Sequence, residues 1–278
     1  MKTKLTVLIL AFTTLSTCKN KEILPDEYHN VERKPSDYRT IEMQLSFTDE
    51  PSEFTVELID SLVIIEGDII VGTYGDIEQV GFAGIVGEGK HWSKGIMPYE
   101  IQPGHSKRSQ IVNAIYYINS TTNLNIIPRS NEVDYVYFSK AAGCSSWVGK
   151  QGGRQNINIG NCSYGSIIHE ILHASGFYHE QSRTDRENYI SIEFKNVKEK
   201  SKHNFKRYLD RGYTGYDISD YDYNSIMHYR DKAFSKNGKN TINLKIPPAN
   251  SSTIIGQRIG MSQSDIESLN IMYTKNKN

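Results

Sequence analysis

His169-Glu170-Ile171-Leu172-His173-Ala174-Ser175-Gly176-Phe177-Tyr178-His179-Glu180 is the stretch that decides how the chain is read. Its pattern, with the residues from Ser163 onward, predicts a helix over 163–174. Residues four apart on a helix are offset by about 40° around the axis, so His169 and His173 share a face. Such a pair can take two corners of a tetrahedral zinc site. Glu170 lies about 100° round from His169 and can reach a water on the metal without becoming a ligand. Gly176 can turn left-handed, end the helix and bring His179 back under the same ion as third ligand. A continued helix would put His179 about 15 Å from His169 along the axis, out of reach. Three neutral imidazoles leave one position open for water, which suits hydrolysis. Incidental core histidines explain a lone His, not three with a glutamate and a glycine at these offsets. A structural zinc site would fill all four positions, often with Cys, and no free cysteine lies nearby.

The 278 residues balance 32 Lys plus Arg against 32 Asp plus Glu. Zero net charge argues against nucleic acid or an anionic membrane surface as partner. Short clusters such as Lys198–Lys202 include acids and read as solvated surface. At the start, Lys2 and Lys4 precede the uncharged run Leu5–Thr17, too short to span a bilayer but suited to an export signal over 1–18. The run ends in Leu15-Ser16-Thr17-Cys18, similar to a bacterial lipoprotein box. Cys18 is then either a lipid anchor, the chain's one route to a membrane, or incidental beside an ordinary cleavage site. Beyond it stand only Cys144 and Cys162, which an exported chain could join as a disulfide or keep as two buried thiols.

Residues 19–40 read as a loose polar leader, and 41–82 contain short alternating runs. Gly72, Gly75 and Gly81 suggest a flexible, protease-accessible junction around 70–84. From Trp92 the chain becomes domain-like. Gly95–Ile101 reads as a strand, Ser106–Thr122 as a helix with Ile111, Ile115 and Ile118 inward, and Tyr135–Phe138 as a strand. Gly152–Gly160 alternates as an exposed edge strand would. The half after Gly176 has few strand signals and closes on a helix, Ser262–Tyr273, with Ser262 and Asp265 as a weaker capping box.

On these residues the chain resembles the astacin family of metzincin zinc endopeptidases, as a bacterial secreted proenzyme. Ser166 to Tyr189 is similar to its zinc signature, Tyr221-Asp222-Tyr223-Asn224-Ser225-Ile226-Met227-His228-Tyr229 to its Met-turn, and Ile255-Gly256-Gln257-Arg258 to its C-terminal segment. The resemblance implies an α+β, two-lobed metzincin-type domain over 83–278, with the active-site helix at the cleft and a pro-segment over 19–82. It implies Met227 as a hydrophobic floor and Tyr229 as a displaceable zinc ligand that hydrogen-bonds the developing oxyanion. His228 matches no ligand position and reads as a packed or hydrogen-bonded histidine. Gln155–Gly160 matches the strand lining the cleft, and Cys144–Cys162 the position of a bridge. The second bridge common in the family has no cysteine in the tail, so the lobes would be held by packing alone.

Glu66-Gly67-Asp68-Ile69 resembles the family's pro-segment motif, in which Asp68 replaces the water on the zinc; a surface turn is the bland alternative. Ala83-Gly84-Ile85-Val86-Gly87 resembles the mature N-terminus. An activating protease, or the enzyme itself, would then cut near Ala83, and the freed amino group would be drawn inward to Glu180 as a buried ion pair. Cys18 is a competing metal ligand. The reaction expected is attack of water on an internal peptide bond of protein or peptide substrates, with Glu170 as general base. The rivals are a binding or inhibitory protein on a peptidase scaffold, and a zinc exopeptidase or amidase.

Overall fold

The computed structural model describes residues 37–43, 52–73, 90–211, 216–248 and 253–274. Among these, β1 (Asp37–Met43), β2 (Ser52–Ile59), β3 (Leu62–Ile65), β4 (Ile69–Thr73), β5 (Ile96–Ile101), β6 (Asn125–Pro128), β7 (Tyr135–Lys140), β8 (Cys144–Ser146) and β9 (Arg154–Ile159) form one mixed sheet. Its order is β1-β2-β3-β4-β8-β9-β7-β5-β6. Strands β6, β5, β7 and β9 run parallel, and β8 is antiparallel to β9.

Parallel neighbours need crossovers, and α1 (Arg108–Thr121) carries the chain from β5 to β6. Its inward side chains are Ile111, Ala114, Ile115 and Ile118, as their spacing predicts. Helix α2 (Tyr164–Ser175) is buried from Gly165 to Ser175, because sheet and α1 lie on one side and the second lobe on the other. Ser163 caps it, its Oγ accepting from the Ser166 N–H at 3.1 Å. Cys144 and Cys162 are joined, Cα atoms 6.0 Å apart, which ties β8 to the start of α2.

The second lobe is irregular, with β10 (Ile190–Ile192) antiparallel to β11 (Ile242–Leu244), short stretches of 3-10 helix, and α3 (Gln263–Met272). The capping box on α3 is complete: Ser262 Oγ accepts from the Asp265 N–H at 3.0 Å and Asp265 from the Ser262 N–H at 2.9 Å. Packing is not alone in holding the lobes. Met261, Leu269 and Tyr273 do share a core with Ile171 and Leu172. In addition, the Asn123 N–H donates to Asn270 Oδ1 at 2.7 Å and the Tyr273 hydroxyl to the Ser175 carbonyl.

Three expectations change. The leader is not loose where it is described, over 37–43 and 52–73: β1 to β4 are an antiparallel meander that joins the sheet beside β8. Val56, Leu58, Val63, Ile65, Ile69 and Val71 bury against Val148 and Tyr208. The flexible junction expected around 70–84 does not include its first residues, since Ile70 and Val71 are buried in β4; residues 74–84 lie outside those described. Strand β9 is not an edge, because β8 covers it, and β8 is the strand that β4 in turn covers. The export signal, Cys18 and Ala83 also lie outside the described residues. No helix among the described residues is long and apolar enough to cross a membrane.

Asp265 joins this architecture to the site. It is 4 % exposed and accepts from Ser225 Oγ at 2.7 Å and the Ile226 N–H at 2.9 Å, besides capping α3. Asp265→Ala strands these buried donors and should lower the unfolding free energy by about 3 kcal/mol. Urea titration checks it, and a loss below about 1 kcal/mol would contradict the role.

Candidate metal centre

Gly176 ends α2 at φ 118°, ψ 4°. Its N–H donates to the His173 carbonyl at 2.8 Å and that of Phe177 to the Leu172 carbonyl at 3.0 Å. The chain reverses there and returns His179 to the ligand face of α2. His173 Nε2 lies 3.1 Å and His179 Nε2 3.3 Å from His169 Nε2. The edge of a tetrahedron with zinc–nitrogen bonds of the usual length is about 3.3 Å. The outer nitrogens are engaged: Nδ1 of His169 donates to the Ile226 carbonyl at 2.8 Å and Nδ1 of His173 to that of Phe177 at 2.7 Å. His179 Nδ1 donates to Glu66 Oε2 at 2.7 Å. These bonds leave all three Nε2 lone pairs converging on one point.

The fourth corner comes from the leader. Glu66, Gly67 and Asp68 form the turn of the β3–β4 hairpin, with Ile65 paired to Ile69 and positive φ at Glu66 (55°) and Gly67 (84°). A Cβ on Gly67 would lie 3.0 Å from the Phe234 ring and would be strained at this φ, so glycine suits a tip seated this deeply. The Asp68 carbonyl accepts from the Ser146 N–H of β8 at 3.0 Å, which fixes the tip in the cleft. Asp68 Oδ2 then lies 3.3 Å from His169 Nε2, and Oδ1 3.2 Å from His179 Nε2 and 3.7 Å from His173 Nε2. Oδ1 is buried and lacks a hydrogen-bond donor. An orphan carboxylate oxygen facing three imidazole lone pairs is what a cation between them accounts for, and N3O is a zinc donor set.

The charges agree. Burial, helped by Arg258, pushes His169 down to about 4, and burial with the neighbouring histidines holds His173 well below its usual value. Burial opposes charge on His179 as well, but Asp68 and Glu66 outweigh it and lift it to about 9. Without an ion the carboxylates find their positive charge in one imidazolium; zinc supplies it with all three ligands neutral.

Glu170 is buried on α2, one residue from His169. Met227 is 1 % exposed in the core that carries α2, and its carbonyl accepts from the Glu180 N–H at 3.1 Å. The Tyr229 hydroxyl donates to the Glu66 carbonyl, and its N–H to Gln181 Oε1 at 3.0 Å. Glu180 accepts from the Asp222 N–H at 2.8 Å, lies 3.6 Å from Arg183, and is pushed by burial up to about 8. It lines a cavity of about 510 Å³ with Asp217, Asp222 and Asp265. His228 is the packed histidine expected: Nδ1 donates to the Tyr229 carbonyl at 2.6 Å and Nε2 accepts from Tyr221 at 2.7 Å.

Sequence reasoning missed the surroundings of Glu66. Its Oε2 also accepts from Ser182 Oγ at 3.0 Å, its Oε1 pairs with Arg211 at 3.1 Å, and its N–H donates to Asn204 Oδ1 at 2.8 Å. Glu66 stood inside the quoted motif, but nothing marked Arg211 or Asn204.

Fold and site together define a metzincin-type zinc peptidase domain. The model of the astacin peptidase family matches residues 85–274, and the chain belongs to that family. It is 41 % identical over 197 residues to blastula protease 10 of Paracentrotus lividus, covering 67 % of this chain and 32 % of that protein. It is 32 % identical over 273 residues to zinc metalloproteinase nas-14 of Caenorhabditis elegans, covering 90 % and 52 %. The chain thus spans a third to a half of these curated relatives. Among solved structures, high choriolytic enzyme 1, a hatching enzyme zinc-protease from Oryzias latipes, aligns with TM-score 0.59 and 33 % identity over 68 % of this chain and 98 % of that one.

Burial pushes His228 down to about 4, against 6.5 in an unfolded chain. Its folded pKa is depressed, so its contribution is complete above pH 6.5 and is lost as pH falls from 6.5 towards 4. Between pH 7 and pH 5 this one group should remove about 2 kcal/mol of stability. Urea titrations at both pH values should show His228→Gln less pH-sensitive by that amount. Equal slopes would mean the imidazole is charged in the fold.

Proposed function

We propose that the chain is a secreted zinc endopeptidase made as a latent precursor. One observation carries this reading: three buried imidazole lone pairs and a leader carboxylate converge beside a buried glutamate on the same helix. His169, His173 and His179 hold the metal, which when bound supplies a Lewis acid and lowers the pKa of water at the open position. Glu170 takes the proton from that water and passes it to the leaving nitrogen. Tyr229, released from the Glu66 carbonyl, would be the displaceable ligand, and its phenol would donate a hydrogen bond to the developing oxyanion. Met227 floors the site. The edge of β8, freed of β4, pairs with the backbone of a protein or peptide substrate, which needs no chain terminus.

The domains proposed are an export signal over 1–18, a pro-segment over 19–82 and a catalytic domain over 83–278. Asp68 keeps water from the metal until a protease, or the enzyme itself, cuts near Ala83; the new amino group then enters the acidic cavity at Glu180. Lipidation of Cys18 would hold the precursor at the cell envelope. Nucleic acid has no part in this reading.

Glu170→Gln keeps every ligand and removes the base. Its zinc content should equal wild type while turnover of an end-blocked, internally quenched peptide falls at least ~10²-fold. Wild-type turnover with full zinc would remove Glu170 from the mechanism, and failure of the active enzyme to cut end-blocked peptides would favour the exopeptidase. For latency, the intact precursor should be silent, Asp68→Ala partly active, and the chain from Ala83 onward fully active. An inactive Asp68→Ala precursor beside an active Cys18→Ala precursor would replace the aspartate switch by a cysteine switch.

A further inference from the structure

A metal-binding histidine needs a partner for its other ring nitrogen, because that hydrogen bond selects the tautomer and aims the ring. His169 and His173 find theirs in backbone carbonyls of the catalytic domain, Ile226 and Phe177. His179 does not. The partner of its Nδ1 is Glu66 of the leader, at 2.7 Å.

Glu66 is held as a built part of the site. Its side chain has no solvent exposure, Ser182 donates to the oxygen that His179 uses, and Arg211, itself 2 % exposed, pairs with the other. Its N–H is taken by Asn204 and its carbonyl by Tyr229. The residue also sits at φ 55°, a backbone conformation that glycine or asparagine would adopt at less cost. A glutamate kept there in spite of the backbone points to a use for its carboxylate.

The same hairpin tip therefore brings two parts of the metal centre, the fourth ligand Asp68 and the support of the third ligand. With the leader docked the zinc site is closed by four protein ligands, as structural sites are; without it the carboxylate ligand is lost, only the displaceable Tyr229 could take its place, and His179 lacks the support of Glu66. We propose that the leader is the metal-retention element of the precursor. Glu66 acts as a positioning residue that aims His179, and the intact chain holds zinc more tightly than the chain freed of its leader. This rests on the zinc-site reading above.

The test uses the full-length chain, wild type and with Glu66→Gln, Asp68→Asn or Arg211→Gln. Zinc affinity is measured by competition with a chromophoric chelator, and each protein's cobalt(II) form by visible absorption. Glu66→Gln should bind one ion with affinity lowered about 10- to 100-fold and with shifted cobalt bands. Asp68→Asn should also weaken binding. Arg211→Gln, which leaves Glu66 beside His179, should lose much less. The chain cut near Ala83 and freed of its leader should fall at least as far as Glu66→Gln. Unchanged affinity and spectrum in Glu66→Gln, or precursor-like affinity after the leader is gone, would overturn the proposal. An equal loss in Arg211→Gln, with unshifted cobalt bands in both, would assign the effect to undocking of the hairpin and overturn the positioning role. A wild-type chain without a saturable zinc site would sink the zinc reading too; tight zinc without peptide hydrolysis would sink only the catalytic one.

Discussion

Two imidazole nitrogens lie 3.1 and 3.3 Å from a third, an arrangement whose inward lone pairs repel one another unless a cation lies between or one ring takes up a proton. Much of the structure exists to hold it. Helix α2 is buried along its length, so His169 and His173 cannot swing out. Gly176 reverses the chain where any Cβ would be strained. The carbonyl that anchors His169 belongs to Ile226, whose own N–H is fixed by Asp265 at the head of α3. The second lobe thus aims a ligand on the first. Breaking that relay at Asp265 would loosen a histidine that Asp265 never touches.

The leader completes this framework. Its meander buries six aliphatic side chains against Val148 and Tyr208, and its last strand covers β8, which would otherwise present open backbone groups. The pairing of Glu66 with Arg211 adds a constraint of another kind. A buried ion pair gives little net stability, but removing one member leaves the other charge buried and uncompensated, which is strongly destabilising. Departure of the leader would therefore require Arg211 to reach water or another anion, so the two segments are coupled more strongly than their apolar contact alone would make them.

The core of the site was legible because its chemistry is local. Three histidines, a glutamate and a glycine within 12 residues specify a helix, a break and a return, and helical geometry does the rest. Helix α1 and the cap of α3 were legible for the same reason, as side chains at spacings of three and four. Strand order was not. Residues 154–159 alternate as an edge strand does, yet β8, a three-residue strand with no periodicity to read, lies outside them. Of the meander of 37–43 and 52–73, the part from residue 41 on was visible as short alternating runs and residues 37–40 read as loose leader, since partners in a sheet are chosen by contacts that a linear pattern does not contain. Arg211 escaped notice because its partner, Glu66, is far away along the chain, and a lone arginine reads as surface.

The shape of the hairpin tip also bears on why a peptide seated in a cleft of the proposed kind could survive there. A substrate paired to β8 would be extended and would offer a carbonyl carbon to the metal. The leader offers a turn instead: Glu66 and Gly67 have positive φ, and what faces the histidines is the side chain of Asp68. The neighbouring backbone carbonyls are already engaged, that of Asp68 by the Ser146 N–H and that of Glu66 by the Tyr229 hydroxyl. For an enzyme of the proposed kind the second bond counts twice, because the phenol that would stabilise an oxyanion is occupied holding the inhibitor. On the proposed reading the groups that would cut a peptide are the ones that hold this one, and the turn would make a ligand of a chain that could have been a substrate.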